Sequence, residues 1–117
     1  MKKTILNRFL KYISFDTQSD EASETSPSTK KQFDLANVVK DELVKLGLKD
    51  VTLDENCYLM GTLPANMDKK IPTIGFLAHF DTSPDMSGAN IKPQIIENYK
   101  GGDITLKGNN LILSPSF

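Results

Sequence analysis

Cysteine is nearly absent from this sequence, and so is histidine: Cys57 and His79 are the only ones in 117 residues. A lone cysteine cannot close an internal disulfide, which points to a reducing, cytoplasmic setting. The opening Met1-Lys2-Lys3 leads into a stretch broken by Asn7, Arg8 and Lys11, so it does not read as a secretory leader. No run approaches the roughly 18 apolar residues of a membrane span. Neither sign of charge is in excess: 14 lysines and arginines face 15 acidic residues, a formal charge of -1. That balance gives no reason to expect nucleic acid or an anionic membrane as partner. Phosphate-cradling glycine loops, a G-x-S-x-G turn and paired Cys-x-x-Cys motifs are also missing, and the basic residues are not interleaved with aromatics.

What remains is an ordinary globular composition, 38% hydrophobic and 25% charged, long enough for one domain at most. Leu6, Phe9, Leu10 and Ile13 recur at helical spacing and predict a helix over 3–14. The polar segment 15–28 reads as a loop, because its aspartates, serines and threonines favour local hydrogen bonds over a continued helix. Thr29 and Gln32 match a capping box, Leu35, Val39, Leu43 and Leu46 form an apolar stripe, and Gly47 suits the left-handed position after a last turn. Together they predict a second helix over 30–46.

Beyond Gly47 the period shortens. Val51–Leu53 and Tyr58–Leu63, separated by Asp54-Glu55-Asn56, suggest a hairpin. The apolar run Pro72-Thr73-Ile74-Gly75-Phe76-Leu77-Ala78 has the character of a strand buried on both faces, and is the candidate for the central strand of a sheet. Ile95-Ile96, Ile104–Leu106 and Leu111–Leu113 are short strand candidates, punctuated by Gly101-Gly102 and Gly108-Asn109-Asn110. The fold class is thus α/β, with helices packed on a mixed central sheet.

His79 falls where the apolar run ends, with Asp81 two residues on. Alternate side chains of a strand share one side, so the pair can converge at the carboxyl end of the strand, where open α/β sheets place ligands. An imidazole is a common zinc ligand and a neighbouring carboxylate can fix its tautomer. Taken alone, the spacing suits a satisfied surface pair more often than a ligand, since zinc needs three or four donors. Asp20 and Asp85 carry no paired spacing and read as solvated loop residues, and Cys57 as a small core side chain.

The segment from Ile74 to Asp85 (IGFLAHFDTSPD) closely resembles the H-x-D region of the peptidase T family, tripeptide aminopeptidases within the co-catalytic zinc metallopeptidases. Phe15–Ser19, Pro27–Thr29, Thr62–Asn66, Pro93–Tyr99 and Gly101–Ile104 are similar to the same family, in order along nearly the whole chain. The resemblance implies that residues 1–117 are a single partial domain, the amino-terminal portion of a zinc-peptidase catalytic domain. It implies a metal-ligand role for His79, toward one of two zinc ions, and a catalytic, orienting role for Asp81. The family's remaining ligands and its general-base glutamate are expected beyond Phe117, so the piece alone is expected to be inactive. The activity implied for the complete protein is attack of a zinc-activated water on a tripeptide, releasing its first residue. Exposed strand edges in the piece imply self-association. Two other readings stay open: a relative acting on dipeptides or acylated amino acids, and a non-catalytic binding domain that kept the fold.

Overall fold

The computed structural model describes residues 2–116, so the outermost residues of the 1–117 unit, Met1 and Phe117, lie outside the described residues. The chain forms helix α1 (Lys2–Tyr12), helix α2 (Gln32–Lys45), strands β1 (Lys49–Leu53) and β2 (Leu59–Thr62), and the short strands β3 (Ile104–Thr105) and β4 (Ile112–Leu113). Both strand pairs are antiparallel two-stranded sheets, β1 with β2 and β3 with β4. The class is therefore a small mixed α/β arrangement.

The buried apolar residues lie between α2 and the β1–β2 hairpin. Leu35 and Ala36 are buried in α2, and the helix ends in the αL manner expected of Gly47, which has φ +88°. The Gly47 N–H donates to Val44 O at 3.0 Å and the Leu48 N–H to Leu43 O at 3.1 Å, which together make a Schellman motif. That turn reverses the chain so that β1 and β2 lie on α2. Gly61 of β2 makes the approach possible: a Cβ there would sit 3.1 Å from Leu48 Cδ2 and 3.4 Å from Val51 Cγ2. The hairpin turn is built by Asp54, whose carboxylate accepts from the N–H groups of Asn56 (3.0 Å) and Tyr58 (2.8 Å). Cys57 closes the turn at φ +66° with its side chain buried, the small core residue the sequence suggested.

Three expectations are corrected. Residues 72–79 are neither a buried strand nor a strand at all: the segment has no ladder partner among the described residues, and Phe76 is 96% exposed. An apolar run becomes a strand only when another edge offers its N–H and C=O groups, and each of the two sheets here closes on its own hairpin neighbour. Among the described residues there is accordingly no mixed central sheet for the helices to cover. Ile95-Ile96 likewise form no strand. The capping box is not made either: Thr29 Oγ1 donates to Gln18 O at 2.8 Å and receives Gln32 Nε2 at 3.2 Å, so its hydroxyl serves the preceding loop, and α2 starts through i→i+3 turns at Thr29, Lys30 and Lys31. The radius of gyration, 17.9 Å, exceeds the roughly 13 Å of a compact chain this long, as uncovered segments require.

Helix α1 meets α2 through charge. Its stripe is only partly covered, with Leu6 and Phe9 exposed, whereas Glu42 of α2 accepts from Arg8 Nε (2.8 Å), Lys11 Nζ (2.9 Å) and Tyr12 Oη (2.8 Å). The bond from Lys11, then that from Tyr12, holds the Glu42 carboxyl below its ordinary value, while burial and the neighbouring carboxylate push the Tyr12 hydroxyl up to about 12. The Glu42 contribution is thus present above the ordinary glutamate pKa and lost as pH falls through the lower folded value. The Tyr12 contribution is present below about 10 and lost as pH rises toward about 12. Glu42→Gln is expected to lower stability by about 1 kcal/mol or less, because Arg8 and Lys11 are well solvated. It should also flatten the acid limb, as urea midpoints measured across pH in both proteins will show.

Candidate functional site

The apolar run ends in a short, tightly bonded stretch. His79 Nδ1 lies 2.8 Å from Asp81 O and 3.1 Å from Asp81 Oδ1, so the two residues picked out by spacing do meet. A carbonyl oxygen can only accept, so Nδ1 is the donor in this contact, and in the neutral ring Nε2 is then the nitrogen with a free lone pair. This is the tautomer a metal-ligating histidine adopts, with its other ring nitrogen donating to a carbonyl or carboxylate. The imidazole is open to solvent, 83% exposed at the side chain, while Asp81 is half-covered.

The other wall of the site comes from two distant stretches. Ser26–Ser28 with Gln32, Asn56–Met60 and Phe76–Asp81 line one open cleft of about 590 Å³. Cys57 is on its lining with a thiol pushed up from its ordinary pKa by burial and then by Asp54, which disfavours its thiolate. Asp20 and Asp85 behave as loop residues: the first accepts from Ala22 N at 3.0 Å and the second from Ser83 Oγ at 2.6 Å, both within local turns.

The donor chemistry at His79 fits a metal ion, but the donor count does not. Among the described residues no group of three histidine, cysteine, aspartate or glutamate side chains could hold one. Zinc held catalytically takes three protein ligands plus water, so the pair His79–Asp81 does not by itself make a zinc site and no chemical step can be assigned to it alone.

Spacing gave no hint of what holds the pair in place. Gln18 and Thr82 form a parallel bridge between the loop after α1 and the residue following Asp81. Thr82 N donates to Thr17 O at 3.1 Å, and Ser19 donates to Thr82 O from its N–H (3.0 Å) and its hydroxyl (2.9 Å). The Gln18 side-chain amide donates to Pro84 O at 2.9 Å and Met86 O at 3.1 Å. Beneath it, Asp16 accepts from Gln18 N at 3.1 Å and pairs with Lys31 at 2.9 Å, and Lys31 followed by that backbone bond holds its carboxyl below the ordinary range. These residues were legible only as part of the Phe15–Ser19 segment that shares the family pattern.

The likeness read from the sequence holds along nearly the whole chain, although no protein-family model matches it. Peptidase T of Alkaliphilus oremlandii is 60% identical over 117 residues, covering 97% of this chain and 29% of the relative. Peptidase T of Lysinibacillus sphaericus is 58% identical over 116 residues, covering 99% and 28%. The peptidase T of Geobacillus kaustophilus is 52% identical over 117 residues, again covering 99% and 28%. The chain thus spans somewhat over a quarter of the length of the curated relatives it matches.

At Gly88 the bracing loop and the site segment leave no room for a side chain. A Cβ there would stand 2.8 Å from Asp16 Oδ1 and 3.2 Å from Thr82 Oγ1. Gly88→Ala should therefore turn the Asp16 carboxylate away from Lys31 and cost about 1–3 kcal/mol as an overpacking change. Amide exchange at Thr82 and Ser19 is the measurement, and the variant should exchange faster at both.

Proposed function

We propose that the whole protein is a zinc-dependent tripeptide aminopeptidase, releasing the first residue of its substrate, and that residues 1–117 are the amino-terminal part of its catalytic domain. The observation that carries this reading is the identity of 52–60% to peptidase T over nearly all of the chain, supported by His79 Nδ1 lying 2.8 Å from Asp81 O, which leaves Nε2 available to a metal. His79 is the ligand through Nε2, and Asp81 holds the ring and its proton at Nδ1. The ion, when present, supplies charge to polarise water and the substrate carbonyl. The ligands that complete the set come from the remainder of the protein, as do the central strands that cover Ile74, Phe76 and Leu77. The setting is cytoplasmic. Among the described residues no helix is long and apolar enough to cross a membrane.

Variants of the whole protein, a comparison of substrates and the isolated piece test this. In the whole protein, His79→Ala is expected to abolish most tripeptide cleavage and deplete zinc. Asp81→Ala should lower turnover about 10- to 100-fold with a smaller loss of metal, and full activity with wild-type zinc content in the His79 variant overturns the assignment. A dipeptide or an acylated amino acid cleaved faster than a tripeptide would replace the substrate class while keeping the metal site. Residues 1–117 alone should bind zinc weakly, cleave nothing, and self-associate through the uncovered 71–80 segment. Light scattering of the isolated piece will read the last of these, with a monomer at micromolar concentration as the contrary result.

A further inference from the structure

The peptide group between Asp81 and Thr82 is gripped at both ends. A trans peptide is planar and points its N–H and C=O in opposite directions. Here the N–H of Thr82 donates to Thr17 O at 3.1 Å, while the C=O of Asp81 accepts from His79 Nδ1 at 2.8 Å. A rotation of that plane that broke one bond would break the other. What sets the plane is therefore what sets the histidine, and that is the loop 16–19.

Beyond the backbone bridge, the side chain of Gln18 reaches past Thr82. Gln18 is half-buried, and its amide nitrogen spends both hydrogens on the carbonyls of Pro84 and Met86, at 2.9 and 3.1 Å. The contact fixes the chain after Thr82, just as Ser19 fixes Thr82 O with two further donors. Thr17, at the other end of the plane, is 2% exposed, and Gln18 O is itself fixed by the Thr29 hydroxyl at 2.8 Å. The loop is thus anchored on the start of α2 before it reaches the site.

We propose that Gln18 is a positioning residue for His79: through the bridge at Thr82 and the two carbonyls it binds, the loop 16–19 orients the Asp81–Thr82 peptide so that its carbonyl compels the Nδ1-protonated tautomer and leaves Nε2 free. The inference rests on the proposed role of His79 only for its effect on turnover. Its structural content stands apart from that role.

The substitution that addresses it is Gln18→Glu, which keeps the shape and replaces two donors by a carboxylate facing two carbonyl oxygens. Gln18→Met removes the donors at similar volume without adding charge, and serves if the glutamate variant does not fold. Gly47→Ala is the control, because φ +88° strains an alanine there with no contact to the brace. In the whole protein labelled with ¹⁵N-histidine, at mildly alkaline pH where imidazoles are neutral, the His79 resonances are identified by their loss in His79→Gln. Metal-free wild type and Gly47→Ala should show the Nδ1-protonated form. Gln18→Glu and Gln18→Met should show a raised share of the Nε2-protonated form and faster amide exchange at Thr82. Tripeptide turnover should fall about 10- to 100-fold in kcat with KM little changed, and the control should keep wild-type kcat. An unchanged tautomer in both Gln18 variants overturns the proposal. A wild-type protein that cleaves no tripeptide overturns the functional reading while the tautomer measurement still decides this one.

Discussion

One peptide plane, that of Asp81 and Thr82, links the candidate site to the rest of the chain, and it does so without any apolar burial of consequence. The segment leading to it is uncovered, with Phe76 almost wholly exposed, so packing does not restrain it. Its restraint is polar: Thr17, Gln18 and Ser19 on one side, Thr82, Pro84 and Met86 on the other, all joined through backbone groups. Backbone bonds of this kind contribute little each, about 0.5–1.5 kcal/mol net, but they are directional. Direction is what a ligand-bearing histidine needs, since the position of its free nitrogen follows from the orientation of the group that takes its proton.

The same preference for polar fastening appears at Glu42. A helix with an incompletely covered apolar stripe is not held by hydrophobic burial, and α1 relies instead on one carboxylate that accepts from three side chains. Exposed pairs of this sort are weak singly, and their strength here comes from sharing a single acceptor. The buried apolar core proper is confined to α2 and its hairpin turn, where Leu35, Ala36 and Cys57 lie. The chain is therefore most covered near α2 and progressively less so away from it.

That gradient explains what could be read in the sequence. Local signals were read well: the stripe of Leu35 and Val39, the αL glycine at 47, the Asp54 turn and the hairpins around it depend on neighbours a few residues away. The strand expected at 72–79 depends on edges that the 117 residues do not offer it, and an apolar run says how much a segment wants to be buried without saying by what. The capping box at Thr29 failed for a related reason, because a residue 11 positions earlier, Gln18, offered the hydroxyl a better acceptor. At the site, His79 and Asp81 were found from spacing and family pattern. The brace at 16–19 was not, since carbonyl partners such as those of Pro84 and Met86 leave no mark on side-chain identity.

The turn at Cys57 has a bearing on how the molecule meets oxidants. Its backbone sits at φ +66°, a conformation glycine or asparagine would take more easily, yet the position carries the chain's single thiol, folded inward. Burial disfavours the thiolate that peroxides and alkylating reagents attack. With the hairpin closed the side chain is only 7% exposed at the wall of the cleft, and parting β1 from β2 uncovers it further. The strain of that one residue thus ties the chemical lifetime of the protein to the closure of a single turn, so that the rate at which a thiol reagent marks Cys57 is a clock for the breathing of the hairpin.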